Sequence, residues 1–234
     1  MIKIKSKIKK LILQQVRGGK HLTKSIKCKH SWYGNTYGGF YVCPDLLNEK
    51  SIVYSFGIGE DISFDDAIIK NHQCSVYGFD PTPKSINWVK VKEVSPKFHF
   101  YEYGISNESG FVDFFLPKNP EYVSGSLVKQ ENVDTARKVR AEMKSIKDIA
   151  NELSHNYIDV LKMDIEGSEY DVIDDILNSD IPITQILIEF HDRFFEDGRL
   201  KTKQSIQKLK EHGYQIFAIS DSLEEISFIS KNAL

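Results

Sequence analysis

The sequence lacks several features that would place it in common classes of protein. It has no apolar run approaching the roughly 18 residues that span a bilayer as a helix, and no apolar core of a secretory signal at its start. Its three cysteines, Cys28, Cys43 and Cys74, form no CxxC pair and are odd in number. Neither a disulfide framework nor a zinc knuckle is therefore predicted. We expect a cytoplasmic protein, soluble or peripheral on the inner face of a membrane.

Acidic residues are absent from the first 30 positions, which hold ten lysines and arginines. The net charge of −2 hides this segregation, because the remainder carries 21 basic against 33 acidic residues. With 234 residues, 41% of them hydrophobic, the chain can bury one substantial core. We predict a basic N-terminal extension, residues 1–30, followed by a single domain, residues 31–234.

Within the extension, residues 1–17 place isoleucine, leucine and valine at helical spacing with lysines between them. This pattern predicts a basic amphipathic helix that ends near Gly18. One interpretation is a helix that packs its apolar stripe on the domain, and the other is peripheral contact with an anionic membrane. Both stay open at this point. No nucleic-acid partner is expected.

From Ser51 onward, short apolar runs alternate with amphipathic stretches, which is typical of a parallel sheet with helices on both faces. The predicted fold class is α/β with seven strands. The stretch 111–116 alternates poorly and leads into Pro117, Pro120 and a turn at Ser124-Gly125-Ser126, so we expect an inserted hairpin and loop there. The seven predicted strands are Ile52–Phe56, Ser75–Phe79, Phe98–Tyr103, Tyr157–Met163, Ile183–Phe190, Tyr214–Ile219 and Ile226–Ile229.

A glycine turn, Gly57-Ile58-Gly59-Glu60-Asp61, follows the first of these strands. Such a strand and turn, with a helix after it, builds a nucleotide cleft, and glycine permits positive φ or close approach of a ligand. A dinucleotide fingerprint needs a third small residue where this chain has Ile62. The carboxylates of Glu60 and Asp61 would also repel a pyrophosphate, but they favour the sulfonium and ammonium groups of S-adenosylmethionine. The turn therefore favours a methyl donor over NAD.

Asp80 ends the second strand, 23 residues beyond Gly57. An acid at this position can accept hydrogen bonds from both hydroxyls of a ribose, and Pro81 restricts the chain directly after it. The alternative is an aspartate that caps a turn. We expect Asp80→Ala to weaken donor binding with little loss of fold.

Acidic residues and a histidine follow two more strands. Asp164 and Glu166 emerge after a buried strand, and Glu169 falls in the first turn of the next helix, either as a cap or as a site residue. Glu189 and His191 lie on one side at the end of the following strand. Because neighbouring parallel strands end at one edge of a sheet, we expect these side chains to lie over the same cleft.

Together these segments resemble the FkbM-type methyltransferases, including their methyltransferase-like branch, over roughly residues 31–220. The resemblance implies a class I Rossmann-like fold, S-adenosylmethionine as donor, and usually O-methylation of a small molecule, sugar or glycan. The segments are Tyr37–Tyr41, Tyr54–Asp65, Phe79–Pro83, Gly104–Ser106 and Leu161–Glu169. The cofactor-binding residues so assigned are Phe56, Gly57, Gly59, Glu60, Asp61, Asp80, Pro81, Gly104, Ile105 and Asp164.

A hydroxyl acceptor must lose its proton during methyl transfer, and His191 is the first candidate base, with Asp164 or Glu166 if burial raises the carboxyl pKa. No metal is predicted, although Asp164, Glu189 and His191 could hold a divalent cation. Two other functions are alternatives to methyl transfer at this point. One is an NAD-dependent nucleotide-sugar oxidoreductase or epimerase, and the other a non-catalytic Rossmann module whose basic N-terminus binds membrane or RNA.

Overall fold

The computed structural model describes residues 22–117 and 133–234. The predicted N-terminal helix, residues 1–17, and the predicted turn at residues 124–126 lie outside the described residues. The helices are α1 (Ser63–His72), α2 (Pro83–Val91), α3 (Ile146–Glu152), α4 (Glu169–Asn178) and α5 (Gly198–Glu211). The strands are β1 (Ser31–Tyr33), β2 (Phe40–Val42), β3 (Ile52–Phe56), β4 (Ser75–Phe79), β5 (Phe98–Tyr101), β6 (Gly104–Ile105), β7 (Gly110–Pro117), β8 (Val133–Lys144), β9 (Ile158–Met163), β10 (Ile183–Glu189), β11 (Tyr214–Ile219) and β12 (Glu225–Ser230).

Seven strands form the main sheet, in the order β11-β12-β10-β9-β3-β4-β5. Neighbours from β10 to β5 are parallel, and β12 runs antiparallel to both β10 and β11. The predicted seven-stranded, mostly parallel α/β fold is confirmed. All seven predicted strands are present, and β3, β4 and β11 have the predicted bounds.

The apolar residues of the central strands alternate between two cores, one on each face of the sheet. Tyr54 and Phe56 pack with residues of α3, α4 and α5, whereas Val53 packs with residues of α1 and α2. The β1–β2 hairpin, which the sequence pattern did not predict, covers the second face and adds Phe40 and Val42 to that core. Both faces are thus covered, as a parallel sheet requires.

The predicted inserted hairpin is confirmed in its strands, since β7 pairs antiparallel with β8 in a small sheet ordered β6-β8-β7. Ser25 belongs to the predicted extension, but it forms hydrogen bonds to β11, the edge strand of the main sheet. Its N–H donates to the carbonyl of Ile216 at 2.8 Å, and its hydroxyl accepts from the Ile216 N–H at 3.0 Å. Part of the predicted extension therefore packs on the domain.

Over residues 22–117 and 133–234, no helix combines the length and the hydropathy that a membrane crossing needs.

Candidate active site

The glycine turn after β3 lies directly against the chain that follows β9. Gly57 has a φ of +78°, and a Cβ there would lie 1.7 Å from the carbonyl oxygen of Asp164. The Asp164 N–H in turn donates to the carbonyl of Phe56 at 3.1 Å. Gly57 is therefore required both by its backbone conformation and by close packing against Asp164. Gly59 also has a positive φ, of +56°.

A buried lysine, which the sequence pattern did not single out, supports this turn from inside the sheet. Lys162 is 5% exposed, and its Nζ donates to the carbonyl of Gly57 at 2.7 Å and to that of Phe56 at 3.3 Å. Asp65 of α1 is buried on the same side. Burial raises the pKa of Asp65 to about 6, although the positive charge of Lys162 opposes that rise. The turn is thus held by an ammonium group that satisfies two strand-end carbonyls.

Asp80 holds the turn from the side of β4. One carboxylate oxygen accepts from the N–H groups of Ile58 and Gly59, at 3.0 and 2.8 Å. The other accepts from the N–H and the hydroxyl of Thr82, at 2.8 and 2.6 Å. A carboxylate has about four lone-pair positions, and here the chain itself occupies all of them. Asp80 therefore maintains the shape of the turn, and its predicted hydrogen bonds to a ribose would have to share or replace these contacts.

The two acids of the turn are likewise engaged within the chain. Glu60 lies 3.2 Å from the ammonium of Lys84. Asp61 accepts from Ser63 at the start of α1 and from the side-chain amide of Asn35, at 2.8 and 2.6 Å. Asn35 belongs to the loop 34–39 between β1 and β2, which we call the rim loop. Asp61 therefore attaches the rim loop to the glycine turn.

The remaining residues assigned to cofactor binding fall into two groups. Phe56 and Ile105 have side chains in the core, 0% and 1% exposed, and only their backbones can face a ligand. The ring of Phe56 stacks on Phe79 at 4.5 Å. Pro81 and Gly104 lie side by side, since a Cβ on Gly104 would be 3.2 Å from Pro81. Pro81 and Gly104 therefore pack together, directly after Asp80 and at the start of β6.

The predicted convergence of acids and histidine is present at the ends of β9 and β10. His191 is 1% exposed, and its Nδ1 lies 2.7 Å from a carboxylate oxygen of Glu169, which is fully buried. The same oxygen accepts from the N–H groups of Ile165 and Gly167. Glu169 is thus both a cap for the loop before α4 and the group that orients the imidazole.

The other nitrogen of His191 faces three further carboxylates. Its Nε2 lies 3.6 Å from Asp164 and 3.5 Å from each of Glu166 and Glu189. We call Asp164, Glu166, Glu189 and His191 the carboxylate–histidine cluster. One ligand atom each from Asp164, Glu166 and His191 lie within 4.8 Å of one another. The structure therefore brings together all three residues predicted to be catalytic and adds Glu189.

Opposing charges shift the pKa values inside this cluster. Burial lowers the pKa of His191, but the Glu169 carboxylate, followed by Asp164 and Glu166, outweighs burial and raises it to about 10. Burial raises the pKa of Glu189 to about 8, and the negative charge of Asp164 adds to that rise. In the absence of a bound cation, His191 is therefore an imidazolium at neutral pH, which does not suit its predicted role as a base.

Two more groups border the cluster on its open side. Tyr37, in the rim loop, is 83% exposed. Partial burial raises the pKa of Tyr37, and the charges of Asp164, Glu166 and Glu189 raise it further, so this tyrosine lies near the cluster. Arg193 lies 3.5 Å from Glu189 and 3.1 Å from Glu224. The open side thus combines an exposed aromatic ring with one cation.

The family follows from a comparison of the whole sequence with family models. The model described as "Methyltransferase FkbM domain" matches residues 51–216, which include the glycine turn, Asp80 and the carboxylate–histidine cluster. This chain belongs to the FkbM methyltransferase family.

Relatives of this FkbM domain are distant. Over 154 residues the chain is 26% identical to "Probable methyltransferase-like protein 24" of Homo sapiens and, likewise, of Rattus norvegicus. That alignment covers 65% of this chain and 36% of each relative, so the chain spans about a third of the length of these relatives. The crystal structure of Methyltransferase FkbM from Methylobacillus flagellatus KT superposes with a TM-score of 0.51 at 13% identity. It covers 81% of this chain and 46% of the other, and it supports the class I fold.

Within this FkbM domain, the sequence pattern left three site residues unassigned. Glu189 is predicted to lie at the same strand ends but has no role beyond that of a candidate metal ligand, and Tyr37 is only part of a motif. Lys162 had a readable signal, because a lysine inside the apolar run Val160–Met163 must find buried acceptors. The individual roles of the assigned residues stay predictions.

Proposed function

We propose that the chain is an S-adenosylmethionine-dependent methyltransferase that methylates a hydroxyl of a small-molecule or saccharide acceptor. The observation that carries the proposal is the direct contact between the glycine turn and Asp164. This contact supports the proposal because the glycine turn then lies beside a group of carboxylates at the carboxyl ends of parallel strands, where α/β proteins bind ligands. The family membership supports the methyltransferase class.

In the proposed reaction, the acceptor hydroxyl gives its proton to a carboxylate of the cluster. Its oxygen forms a bond to the donor methyl carbon while the carbon–sulfur bond breaks, and the electron pair leaves with the thioether of S-adenosylhomocysteine. The side chains of Asp164 and Glu166 are 26% and 22% exposed, whereas His191 is 1% exposed behind them. An acceptor therefore meets these carboxylates first, and His191 keeps them oriented. The protein contributes mainly alignment and exclusion of water.

A saccharide acceptor is supported by the open side of the site. The ring of Tyr37 offers an exposed apolar face to the C–H groups of a sugar, and the neighbouring carboxylates can accept hydrogen bonds from its hydroxyls. We also retain the proposal that residues 1–17 bring the enzyme to an anionic membrane, near a lipid-linked or nascent glycan.

The test is calorimetry with S-adenosylmethionine, followed by mass spectrometry of the protein with donor and a panel of glycan extracts. We expect donor binding and a mass gain of one methyl group on an acceptor oxygen. Tyr37→Ala should raise the KM for that acceptor and leave donor affinity unchanged, and Tyr157→Ala, at an exposed tyrosine just before β9, serves as a matched control. Binding of NAD in place of S-adenosylmethionine would contradict the proposal and favour an oxidoreductase.

A further inference from the structure

We propose that the carboxylate–histidine cluster binds one divalent metal cation through Asp164, Glu166 and His191, with Glu189 beside it. Carboxylate oxygens and an imidazole nitrogen are common ligands of divalent cations such as Mn²⁺ and Zn²⁺. The cation's binding is independent of the methyl-transfer chemistry, whereas its use, to lower the pKa of the acceptor hydroxyl, rests on the proposed function.

The first step of the argument is the unusual surroundings of the buried Nε2 of His191. On the other side of the ring, Nδ1 makes a contact of 2.7 Å to Glu169, as expected for a charge-assisted hydrogen bond. At Nε2 no carboxylate comes that close. Three oxygens lie at 3.5 to 3.6 Å instead, and a single N–H can point at only one of them. An imidazolium alone does not account for this arrangement.

A shared cation does account for it. With metal–ligand distances of about 2.1 Å, neighbouring ligand atoms around one ion lie roughly 3.0 to 3.4 Å apart. The separations of Nε2 from the Asp164 and Glu166 oxygens, 3.6 and 3.5 Å, are slightly longer than that range, and the three ligand atoms all lie within 4.8 Å of one another, so binding one ion requires the side chains to draw together by rotation. His191 is 1% exposed, and its Nε2 faces the carboxylates of the cluster. A cation between these groups could therefore be bound by Nε2 and the carboxylate oxygens together.

The orientation of His191 has the second feature expected of a metal ligand. Metal-binding histidines usually donate their other ring N–H to a carboxylate or carbonyl, which fixes the tautomer and the ring. Glu169 provides that carboxylate, and the N–H groups of Ile165 and Gly167 hold it in place. Glu169 thus acts as a positioning residue behind the ligand.

The charge balance points the same way. Four carboxylates, those of Asp164, Glu166, Glu169 and Glu189, surround His191, and Arg193 contributes one guanidinium at the edge. Acidic side chains therefore outnumber the basic ones, His191 and Arg193, by four to two in this group. A divalent cation would offset the excess, and the mixed oxygen and nitrogen ligands favour Mn²⁺ or Zn²⁺ over Ca²⁺.

The experiment measures Mn²⁺ binding to EDTA-treated, dialysed full-length protein by electron paramagnetic resonance of the unbound ion. We expect one bound Mn²⁺ per chain, displaced by Zn²⁺ and weakly by Ca²⁺. Glu166→Gln should weaken Mn²⁺ binding by at least about tenfold, and Glu169→Gln by about 10- to 100-fold through loss of ring orientation. Glu102→Gln, at a distant exposed acid paired with Lys90, is the matched control and should bind as the unaltered protein does.

Folded protein that leaves millimolar Mn²⁺ unbound, or equal affinity in Glu166→Gln and Glu102→Gln, would overturn the metal site. Circular dichroism of each variant separates loss of binding from loss of fold, and Glu166, at the partly exposed edge, is the safer substitution. Calorimetry with S-adenosylmethionine on the same metal-free protein separates the two proposals. Donor binding without Mn²⁺ binding overturns only the metal site, and Mn²⁺ binding without donor binding supports it while contradicting the proposed function.

Discussion

Asp80 provides a sharp test of how the glycine turn is held. The Asp80→Ala change removes an acceptor shared by four donors, three of which are the backbone N–H groups of Ile58, Gly59 and Thr82. Asp80 is 5% exposed, so water replaces these hydrogen bonds poorly. At about 1 to 3 kcal/mol for each of the three buried donors left unsatisfied, we expect the free energy of unfolding to fall by roughly 3 to 9 kcal/mol, in contrast to the small loss of fold expected from the sequence alone. That is a large share of the roughly 5 to 15 kcal/mol typical of folded domains.

The assay is urea unfolding without any donor, compared with Thr82→Val and Asp80→Asn. Thr82→Val removes only the hydroxyl donor and should cost about 1 kcal/mol, because Asp80 keeps its three backbone partners. Asp80→Asn keeps one oxygen but turns an NH₂ group toward one pair of donors, so its cost should lie between the other two. Calorimetry with S-adenosylmethionine then measures donor affinity for the variants that stay folded.

The outcome decides between two roles of Asp80. An Asp80→Ala protein whose unfolding midpoint and slope match those of the unaltered chain would refute the bracing role. If that same protein had lost donor affinity, Asp80 would serve the ribose alone, as the sequence pattern first suggested. A loss of both stability and affinity would show that the donor binds a turn that Asp80 must first hold in shape.

Four further predictions concern Gly57, the buried pair Lys162 and Asp65, and the N-terminal residues 1–17. Gly57→Ala should abolish donor binding, since its Cβ would overlap the carbonyl of Asp164, and calorimetry showing normal affinity would contradict this. Lys162→Met should lower the free energy of unfolding, measured by urea titration, by about 2 to 4 kcal/mol, because two carbonyls lose a charged donor. Asp65 holds its proton more tightly in the folded chain, so its ionisation lowers stability as the pH rises from 3.8 to about 6. Across that pH range, the unfolding free energy of Asp65→Asn should therefore rise relative to that of the unaltered protein by up to about 3 kcal/mol. A difference in unfolding free energy that stays constant with pH would contradict this prediction. Deleting residues 1–17 should release the protein from anionic vesicles in a sedimentation assay, because each basic residue near the surface contributes about 1 kcal/mol to the binding free energy. Equal sedimentation of the full and truncated proteins would exclude the membrane role.

The sheet was predictable from sequence because buried parallel strands appear as short apolar runs, and β3, β4 and β11 have the bounds that those runs predict. The β1–β2 hairpin was not predictable, since its strands have three residues each, which is too short for an alternating pattern to be recognised. The gathering of Asp164, Glu166 and His191 was also predictable, because all follow parallel strands.

Their interactions could not be read in the same way. Sequence spacing shows where a side chain emerges but not what it contacts. The four donors on Asp80 and the Glu169 carboxylate behind His191 both depend on neighbours brought in by tertiary packing. The raised pKa of His191, in particular, results from three acids, Glu169, Asp164 and Glu166, that outweigh its burial and whose distances only the fold determines.

The contact of Gly57 with Asp164 joins the glycine turn to the acidic segment after β9 through backbone atoms. Under the proposed function, the spacing between the donor methyl group and the acids would then depend on the backbone at this contact. Differences in acceptor range are expected instead at exposed positions, above all at Tyr37 in the rim loop. That loop is attached to the turn through Asn35 and Asp61. Under the proposed function, exchanging the side chain at position 37 alone is therefore a route to new acceptors, whereas a side chain at Gly38 would lie 2.8 Å from Asp61 and disturb the attachment of the loop.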